Sequence, residues 1–358
     1  MSNSRTVHLV YSLPSPSKKL YKALYKISQK LNLLHPLYRN GNFIDWPEPV
    51  YAPFSIPFNI CNTLKNYYKL RLYNIFETAD ADVKPDDIIM VHLWPNKDFT
   101  DVNTNLTSYK LLEKCFLKNK VYVLSPYNHD IKQILWMKNI FKNFKGINFI
   151  PICGDYWLDT WSNSPFKDLI KKEHICHVNM GIDPFQYKKV KFKYSPKGKR
   201  KFIYIGRTDY PKNIEMLENL ASNCKNFKGG YISSGTIKGW EKISNYCNLT
   251  DEYMTGLASE YDFFISTSVA DAQATTILES VCRGFGVAAT LESGFDSDGI
   301  IKIDINNIDF NCQQINVIQN MEEEEIIKLN VNGFNTIKEK NNWKNICNKI
   351  LNFLEMNK

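Results

Sequence analysis

The pattern of apolar and polar positions along the chain alternates between short apolar runs and longer helix-like segments. In the first half, the apolar runs that predict strands cover residues 7–11, 87–92, 120–124, 148–151 and a stretch near 175–178. In the second half, they cover residues 201–205, 230–234, 263–266, 287–289 and 300–303. Strands that alternate with helices in this way predict an α/β fold with parallel sheets.

A basic, proline-containing stretch with little apolar content, residues 184–200, separates the two halves. It predicts a linker between a first domain over residues 1–183 and a second domain over residues 201–335. The end of the chain has a helical pattern, and residues 336–358 are expected to form a final helix. Two consecutive doubly wound domains are expected to hold a ligand at the carboxyl ends of their strands, in the cleft between them.

A basic amphipathic segment lies between the first two predicted strands, around residues 17–34. Apolar residues at Leu20, Leu24, Ile27 and Leu31 alternate with lysines, which predicts a helix with one basic face. Such a helix could rest on an anionic membrane surface. The alternative is an ordinary helix that packs on its own domain.

Composition narrows the class of protein. With 358 residues, 44% apolar and 13% aromatic, the chain is long and apolar enough for two folded domains. It has no apolar run long enough to span a membrane, and its N-terminus lacks the form of a signal peptide, so a cytoplasmic protein is expected. The net charge of +8 suits an anionic substrate, an anionic membrane or nucleic acid, and does not choose among them.

The cysteines, histidines and paired aspartates predict no metal site. The nine cysteines are scattered, odd in number and never spaced C-x-x-C, which favours free buried thiols in a reducing compartment. His174 and His177 lie with Glu173 and Cys176 in a predicted strand, where alternate side chains face opposite ways and cannot converge on one ion. The D-x-D at residues 80–82 sits in a polar stretch, which indicates a solvated loop.

The first candidate site loop follows the strand predicted at residues 201–205. The strand ends at Gly206, where the missing side chain allows a tight turn. Arg207 then lies at the carboxyl end of the strand, and Lys212 follows a proline that restricts the loop. Two cations on one loop can hold a diphosphate through charge-assisted hydrogen bonds. The alternative is a solvated basic loop before a helix.

The second candidate is the stretch DAQATTILESVCRGF, residues 271–285. Its apolar residues predict a helix from Thr276, and Glu279 lies off the apolar face near the helix start, where the dipole favours carboxylates and free N–H groups can bind phosphate. A carboxylate beside a nucleotide commonly accepts hydrogen bonds from ribose hydroxyls. The alternatives are a salt bridge from Glu279 to Arg283 and a turn or capping role for Asp271.

These motifs resemble those of the GT-B glycosyltransferases, and most closely the retaining family 4 with its E-x(7)-E signature. IGRTDYPKN at residues 205–213 is similar to the family's phosphate loop, EYDFFISTS at 260–268 to its A-D-x-F strand, and LESVCRGFGVA at 278–288 to its L-E-A-M-A-C-G motif. HVNMGID at 177–183 is similar to the segment before the interdomain linker. The resemblance covers residues 175–300 well. It implies two Rossmann-like domains that face across a cleft, with the final helix crossing back onto the first domain.

The resemblance implies a role for each matching residue. Gly206, Arg207 and Lys212 would hold the phosphates of the donor, and the two cations would stabilise the departing nucleotide diphosphate. Glu279 would bind the ribose, and Asp271, in the place of the first Glu, would face the transferred sugar. Donor contacts are also implied for the residues that follow Asp271 and begin the helix, which are Ala272, Gln273, Ala274, Thr275 and Thr276.

The donor-site sequence departs from the family pattern at Asp271 and at the residues that follow it. Asp271 is one methylene shorter than the usual Glu, and Asp-Ala-Gln-Ala replaces the usual E-G-F-G, so the resemblance does not identify the donor sugar. The family also tends to place a histidine of the first domain near the reacting centre. His129, after a predicted strand, is the candidate, and His92, at the end of another strand, is the alternative.

The resemblance implies a retaining transferase that needs no metal or cofactor and uses a nucleotide-diphosphate sugar, a UDP- or GDP-sugar, as co-substrate. The expected acceptor is a glycan or lipid-linked saccharide, as in cell-surface polysaccharide biosynthesis, with a peripheral contact on the inner face of the membrane. Two alternatives stay open. One is a phage-type DNA glucosyltransferase, which no concentrated basic-aromatic stripe supports, and the other is a catalytically weak nucleotide-sugar-binding protein.

Overall fold

The computed structural model describes residues 5–14, 23, 27, 46–48, 50, 54–76, 81–246 and 249–356. The chain divides into two compact units. The first contains Met1–Ile152, Trp161–Gly181 and Trp343–Lys358, and the second contains Cys153–Thr160 and Ile182–Asn342. The short segment Cys153–Thr160 therefore groups with the second unit, although the sequence pattern assigned it to the first domain. The basic amphipathic segment lies almost wholly outside the described residues.

Within the described residues, each unit contains one parallel sheet. The strands of the first sheet are β1 (Thr6–Tyr11), β2 (Lys69–Asn74), β3 (Ile88–His92), β4 (Lys120–Pro126) and β5 (Asn148–Ile152). The strands of the second are β6 (Phe202–Ile205), β7 (Gly229–Ile232), β8 (Glu241–Ser244), β9 (Phe263–Ser266), β10 (Gly286–Thr290) and β11 (Ile301–Ile303). The parallel pairing confirms the predicted α/β class.

Helices connect most of these strands. The described part of the first unit contains α1 (Ser55–Leu64), α2 (Thr107–Cys115), α3 (Ile131–Ile134) and α4 (Lys138–Asn143). The second unit contains α5 (Asp155–Asp159), α6 (Ile214–Asn223), α7 (Asp251–Glu260), α8 (Thr275–Cys282), α9 (Ile308–Asn320) and α10 (Glu323–Lys340). The chain then ends in α11 (Trp343–Met356), which belongs to the first unit.

The first sheet has the strand order β2-β1-β3-β4-β5. Apart from β2, its strands are largely apolar and almost wholly buried, as expected for a parallel sheet covered on both faces. α11 packs one apolar face, which includes Ile346 and Ile350, into the core of this unit. The ring of Phe353 meets the ring of Tyr122 from β4 edge-on, with centroids 5.6 Å apart. The final helix therefore closes the core of the first unit.

The second sheet has the order β11-β10-β9-β6-β7-β8. Numbered within the unit, this is the order 3-2-1-4-5-6 of the doubly wound dinucleotide-binding fold. Its core joins aromatic residues of the central strands, Phe202 and Phe263, to Leu217 of α6 and Ile315 of α9. The buried aliphatic positions of both helices recur at helical spacing.

The strand predictions failed at three places. β8 was missed because it is an exposed edge strand in which Glu241 and Lys242 face solvent, so it has no apolar run. β2 was missed because its sequence, KLRLYN, interrupts the apolar residues with lysine and arginine and so has no apolar run. The stretch near 175–178 forms only isolated bridges, from Ile175 to Phe149 and from Val178 to Ile152.

The expectation that the cysteines are all free thiols was wrong. Cys224 and Cys312 form a disulfide that joins the end of α6 to α9, across 88 positions of sequence. The packing of these two helices brings the Cα atoms to 4.8 Å, a proximity that scattered cysteines in a sequence cannot reveal. The other cysteines of the described residues are buried thiols, namely Cys61, Cys115, Cys153, Cys176, Cys282 and Cys347. In the part of the chain that the structure describes, no helix has the length and apolarity needed to cross a bilayer.

Candidate functional site

The order of the second sheet creates a topological switch point between β6 and β9. These two strands are neighbours, but the chain builds β7 and β8 on one side after β6, and β10 and β11 on the other side after β9. In doubly wound sheets, ligands bind outside the carboxyl ends of the strands at such a point. Both loops that carry the predicted donor-binding residues start here.

The loop after β6 turns at Gly206, as predicted. A Cβ atom at Gly206 would lie 2.8 Å from the Tyr204 hydroxyl, so a larger residue would force this ring to move. The Tyr204 hydroxyl donates a hydrogen bond to the Arg207 carbonyl and holds the turn. The Arg207 side chain is 75% exposed, and its Nη1 lies 3.2 Å from Oδ2 of Asp209. The guanidinium is therefore open to an anionic ligand.

Hydrogen bonds tie this loop to the loop after β9. The Thr267 hydroxyl donates to the carbonyls of Lys212, at 3.0 Å, and Asn213, at 3.2 Å. The Val269 amide donates to the Pro211 carbonyl at 2.9 Å. Asn213 is the residue where the chain enters α6, and its φ of 50° is a left-handed conformation that asparagine tolerates. The two loops thus run side by side.

Lys212 and Asp271, which the sequence singled out in separate motifs, form an ion pair between Nζ and Oδ2. Both side chains are 19% exposed. A partly exposed pair is held together by only a modest free energy. An incoming diphosphate can therefore compete for Lys212 while Asp271 stays beside it.

α8 follows the Asp271 loop and begins at Thr275, one residue earlier than predicted. Its N-cap is Ala274, and no side chain caps the helix, so Asp271 does not have the capping role considered above. The predicted apolar face is buried. Thr275, Thr276 and Ala272 are half-buried around the helix start, where the first N–H groups of α8 lie.

α8 begins at Thr275, so Glu279 lies in its second turn. Its side chain is half-buried, and this burial raises the pKa of the carboxyl to about 7. The nearby charge of Arg283 and the Tyr187 hydroxyl, 3.5 Å from Oε1, act in the opposite direction. Hydrogen bonds from the hydroxyl groups of a ligand would stabilise the ionised form of this carboxyl.

Among the described residues, Arg283 forms its salt bridge with Asp251 and not with Glu279, which was the alternative interpretation. The Arg283 side chain is buried and directs Nη1 to Oδ1 of Asp251 at 2.5 Å. Its Nη2 donates to the Leu249 carbonyl at 3.3 Å, and the guanidinium lies 5.3 Å from the centre of the Tyr187 ring. Arg283 therefore anchors the start of α7.

The backbone after β9 is held by the loop after β10. The Asp271 amide donates to the Glu292 carbonyl at 2.8 Å, and the Ala274 amide donates to the Ser293 carbonyl at 3.1 Å. The Ala274 amide is therefore already bonded within the protein. The buried Gln273 side chain is also hydrogen-bonded, because its Oε1 accepts from the side-chain amide Nδ2 of Asn341 at 3.2 Å.

A second segment that the sequence did not reveal holds the same loop from another side. The Gly154 amide donates to the Ala272 carbonyl at 2.8 Å. The Trp157 indole Nε1–H donates to the Asp271 carbonyl at 2.7 Å, across 114 positions of sequence. No local pattern in residues 153–160 signals such contacts. In this stretch of the sequence, the hint was Trp157 itself.

The two candidate histidines, His129 and His92, lie in the first unit. His129 is half-buried in the loop after β4, with its ring edge-on to Tyr127 at a centroid distance of 5.5 Å. His92 is buried at the end of β3, and its Nδ1 lies 3.0 Å from the Leu124 carbonyl. Burial lowers the pKa of His92 to about 4, so this ring is neutral at pH 7. The surroundings of His92 are those of a structural residue.

Across residues 81–246, 249–356 and the described stretches before them, no group of three or more His, Cys, Asp and Glu is arranged to hold a metal ion. Asp82 of the D-x-D is exposed, and Asp80 lies outside the described residues. The cluster around His174 and His177 likewise provides no such group.

Comparison with known proteins gives matches of structure only, since no protein-family model and no curated protein sequence matches this chain. S. aureus TarM, in complex with Fondaparinux, alpha-GlcNAc-glycerol and UDP, is similar with a TM-score of 0.52 and 15% identity. The match covers 76% of this chain and 56% of TarM. This chain therefore spans little more than half the length of TarM.

Two further structures match over almost their whole length. An α,α-trehalose-phosphate synthase (UDP-forming) from Burkholderia vietnamiensis has a TM-score of 0.55 and 11% identity, covering 99% of both chains. A trehalose-6-phosphate structure from E. coli, bound with UDP-2-fluoro glucose, has a TM-score of 0.56 and 9% identity, covering 97% of this chain and 98% of the other. These likenesses show that the chain has the GT-B fold with two Rossmann-like domains, as the motifs implied.

Proposed function

We propose that the protein is a retaining, metal-independent glycosyltransferase that moves a sugar from a nucleotide-diphosphate donor to a saccharide acceptor. The observation that carries the proposal is the meeting of Lys212 and Asp271 at the switch point of the second sheet. Arg207 and Glu279 lie on the same two chain segments, which follow β6 and β9. Cations suited to phosphate and carboxylates suited to hydroxyls thus occur together where such sheets bind nucleotides.

A UDP-sugar is the donor that we favour. The TarM structure contains UDP, the Burkholderia protein is a UDP-forming synthase, and the E. coli structure contains UDP-2-fluoro glucose. A GDP-sugar is the second choice, because the residues proposed for the phosphates and the ribose do not themselves select the base.

In the proposed step, the bond between the anomeric carbon and the diphosphate oxygen breaks, and its electron pair leaves with the nucleotide diphosphate. The acceptor hydroxyl bonds to the anomeric carbon from the same face, and its proton passes to the departing phosphate oxygen. Arg207 and Lys212 stabilise the negative charge that develops on this leaving group. Such preorganised charge stabilisation is commonly the largest single contribution to catalysis. No side chain acts as a nucleophile.

Glu279 and Asp271 orient the donor. The carboxylate of Glu279, whose pKa burial raises to about 7, is stabilised when two ribose hydroxyls donate to it. Asp271 accepts hydrogen bonds from the transferred sugar, while Lys212 turns from Asp271 to the phosphates. The exchange is favourable because a diphosphate offers Lys212 more negative charge than one carboxylate does.

The acceptor is proposed to be a glycan or a lipid-linked saccharide. We assign His129 to the reacting centre, because it is half-buried in the loop at the carboxyl end of β4, whereas His92 is packed as a structural residue. A peripheral membrane contact through the basic segment around residues 17–34 is part of the proposal. Flotation with anionic vesicles tests that contact, and a protein that stays at the bottom of the gradient would remove it.

A panel of donors tests the reaction. Thermal shift and slow donor hydrolysis are measured with UDP-, GDP-, ADP- and CMP-sugars for the wild type, Arg207→Ala and Lys238→Ala. Lys238 is exposed on the same unit and controls for the loss of one positive charge. We expect a UDP-sugar to stabilise the wild type and to be hydrolysed. Arg207→Ala should lower turnover about a hundredfold, because it removes a charge that stabilises the leaving group. Lys238→Ala should change turnover by less than about twofold.

The other outcomes separate the alternatives. Normal turnover in Arg207→Ala would contradict the phosphate assignment. Nucleotide binding without hydrolysis or transfer of any donor would indicate a nucleotide-sugar-binding protein. Salt-sensitive binding to duplex DNA, with glucose transfer to that DNA, would favour the DNA-modifying enzyme.

A further inference from the structure

We infer that Trp157 is a positioning residue for Asp271, the carboxylate proposed to face the transferred sugar, so this inference rests on the function proposed above. Trp157 lies in α5 and is 3% exposed. Its indole N–H donates to the Asp271 carbonyl at 2.7 Å. The bond fixes the backbone from which the Asp271 side chain extends to Lys212. Trp157 therefore acts on the donor through Asp271.

A second hydrogen bond joins the residue before α5 to the loop after β9. The carbonyl of Ala272, the next residue along, accepts from the Gly154 amide at 2.8 Å. Two consecutive carbonyls of the loop are therefore held by one short segment. The bond lies in a part-buried position, so loss of the indole donor would leave the Asp271 carbonyl without this partner, which is unfavourable.

Glycines allow the backbone segments to approach this closely. A Cβ atom at Gly154 would lie 1.5 Å from the Gly294 carbonyl oxygen. Gly294 has a φ of +86°, and a Cβ there would lie 2.4 Å from the Ala272 carbonyl oxygen. The carbonyls of Glu292 and Ser293 hold the loop from the other side. The loop after β9 is thus enclosed between two segments that leave it little room to shift.

α5 is itself anchored to the second unit. Oδ2 of Asp155 lies 2.6 Å from Nζ of Lys340, near the end of α10. The Tyr156 hydroxyl lies 3.3 Å from Oε1 of Glu292. Asp155 and Tyr156 directly precede Trp157 in sequence, and their contacts fix the segment that carries its ring. The segment can therefore transmit its own fixed position to the loop.

The expected consequence is a separation between turnover and diphosphate binding. A misplacement of about 1 Å at a reacting group can lower a rate about a hundredfold. Loss of a single hydrogen bond behind Asp271 should have a smaller effect, about tenfold in kcat. Affinity for UDP depends on Arg207, Lys212 and Glu279, and it should change much less.

Trp157→Phe is compared with Trp240→Phe. Trp240 is a matched control in the same unit, since it is also buried and its indole N–H also donates to a backbone carbonyl, that of Leu217, at 2.7 Å. It lies between β7 and β8, outside the loop after β9. Trp157→Phe should lower kcat for UDP-sugar hydrolysis about tenfold and change UDP affinity less than about threefold. Trp240→Phe should leave kcat within about twofold for the folded protein.

Hydrogen–deuterium exchange gives a second measurement that does not depend on turnover. Peptides covering residues 271–276 should exchange faster in Trp157→Phe than in the wild type, and at the wild-type rate in Trp240→Phe. Site-specific incorporation of 3-benzothienylalanine at position 157 replaces the indole N–H with sulfur and keeps the ring shape. It should reproduce both effects, and it serves if the phenylalanine variant does not fold.

Normal kcat with normal exchange in the Trp157 variants would overturn the positioning role. Equal losses in the Trp157 and Trp240 variants would also overturn it, because they would reflect general stability. If the wild type hydrolyses no donor, the proposed function fails, while the exchange measurement still decides whether Trp157 orders the loop.

Discussion

The two ends of β9 each have a lysine–aspartate pair, and the two pairs differ in their surroundings. Just before the strand, Asp262 pairs with Lys191, with Oδ1 and Nζ 2.9 Å apart and side chains 0% and 3% exposed. After the strand, Asp271 pairs with Lys212, and each of these side chains is 19% exposed.

The buried pair is fully occupied by the protein. Asp262 accepts hydrogen bonds from the amides of Ser195, at 2.8 Å, and Lys201, at 3.1 Å. Lys191 Nζ also donates to the Ala258 carbonyl at 2.8 Å. The pair therefore fastens the chain before β6 to the start of β9, and a ligand could bind there only by breaking the fold.

The comparison shows that residue type alone does not distinguish a structural pair from one that we propose binds a ligand. The amino end of β9 uses its charges to hold the chain together. The carboxyl end, where doubly wound sheets bind ligands, keeps its charges partly exposed and exchangeable. The two pairs differ in the end of the strand at which they lie and in whether their charged groups can still bond to a ligand.

The largest expected effect is on stability, at the buried pair. Lys191→Ala leaves the Asp262 carboxylate buried without its cation, so the free energy of unfolding should fall by about 3–5 kcal/mol. Denaturant unfolding measures the change. Lys302→Ala is the control, because Lys302 and Asp296 form an exposed pair at 2.5 Å in the same unit. The control should cost less than about 1 kcal/mol. Similar losses in both variants would contradict the assignment of Lys191 to the framework.

The next effect is on turnover, at the exchangeable pair. Lys212→Ala should lower the rate of UDP-sugar hydrolysis about a hundredfold, because one cation that stabilises the leaving group is lost. The free energy of unfolding should change by less than about 1 kcal/mol, since the pair is partly exposed. The two quantities are measured on the same preparation by donor hydrolysis and denaturant unfolding. A stability loss as large as that of Lys191→Ala, with normal turnover, would erase the distinction between the two pairs.

The smallest effect is a pH dependence at Glu279. Burial raises the pKa of this carboxyl from 4.5 to about 7, and ribose hydroxyls bind the ionised form. Affinity for UDP-glucose should therefore rise with pH and level off above about pH 8, and at pH 6 it should be about tenfold weaker than this plateau. Isothermal titration across this range measures it. Glu279→Gln should bind more weakly and lose the pH dependence, and an unchanged pH profile in that variant would exclude Glu279 as its source.

The same shift affects the protein without ligand. Because the pKa of Glu279 is raised, the folded state holds this proton more tightly than the unfolded chain does. The contribution to stability is present below about pH 4.5 and is lost as the pH rises through about 7. Glu279→Gln should therefore flatten the fall in unfolding free energy between pH 5 and pH 8.

The sequence predicted the α/β class, most strands and a set of candidate residues at one end of the second sheet. The strand predictions succeeded because apolar periodicity is local. The structure places Arg207, Lys212, Asp271 and Glu279 on the chain segments that follow β6 and β9, and their roles at a donor site stay predictions. The pairing of Lys212 with Asp271 depends on Thr267 and Val269 bringing two loops together, which periodicity cannot show.

The features that were missed depend on contacts between distant parts of the sequence. Trp157 meets Asp271 across 114 positions, and Cys224 meets Cys312 across 88. Arg283 turns to Asp251, 32 positions away, although Glu279 lies at helical spacing. In each case the tertiary packing of a neighbouring element decides which partner the side chain reaches.

Hydrogen–deuterium exchange with and without saturating UDP tests most directly whether the carboxyl end of β9 is the donor site. We predict that UDP slows exchange in peptides covering residues 206–213 and 271–282, which contain Lys212, Asp271 and Glu279. Peptides around Lys191 and Asp262, at the other end of the strand, should exchange at unchanged rates. Slower exchange at the amino end of β9, or no change near Lys212 and Asp271 while UDP is bound, would contradict the assignment.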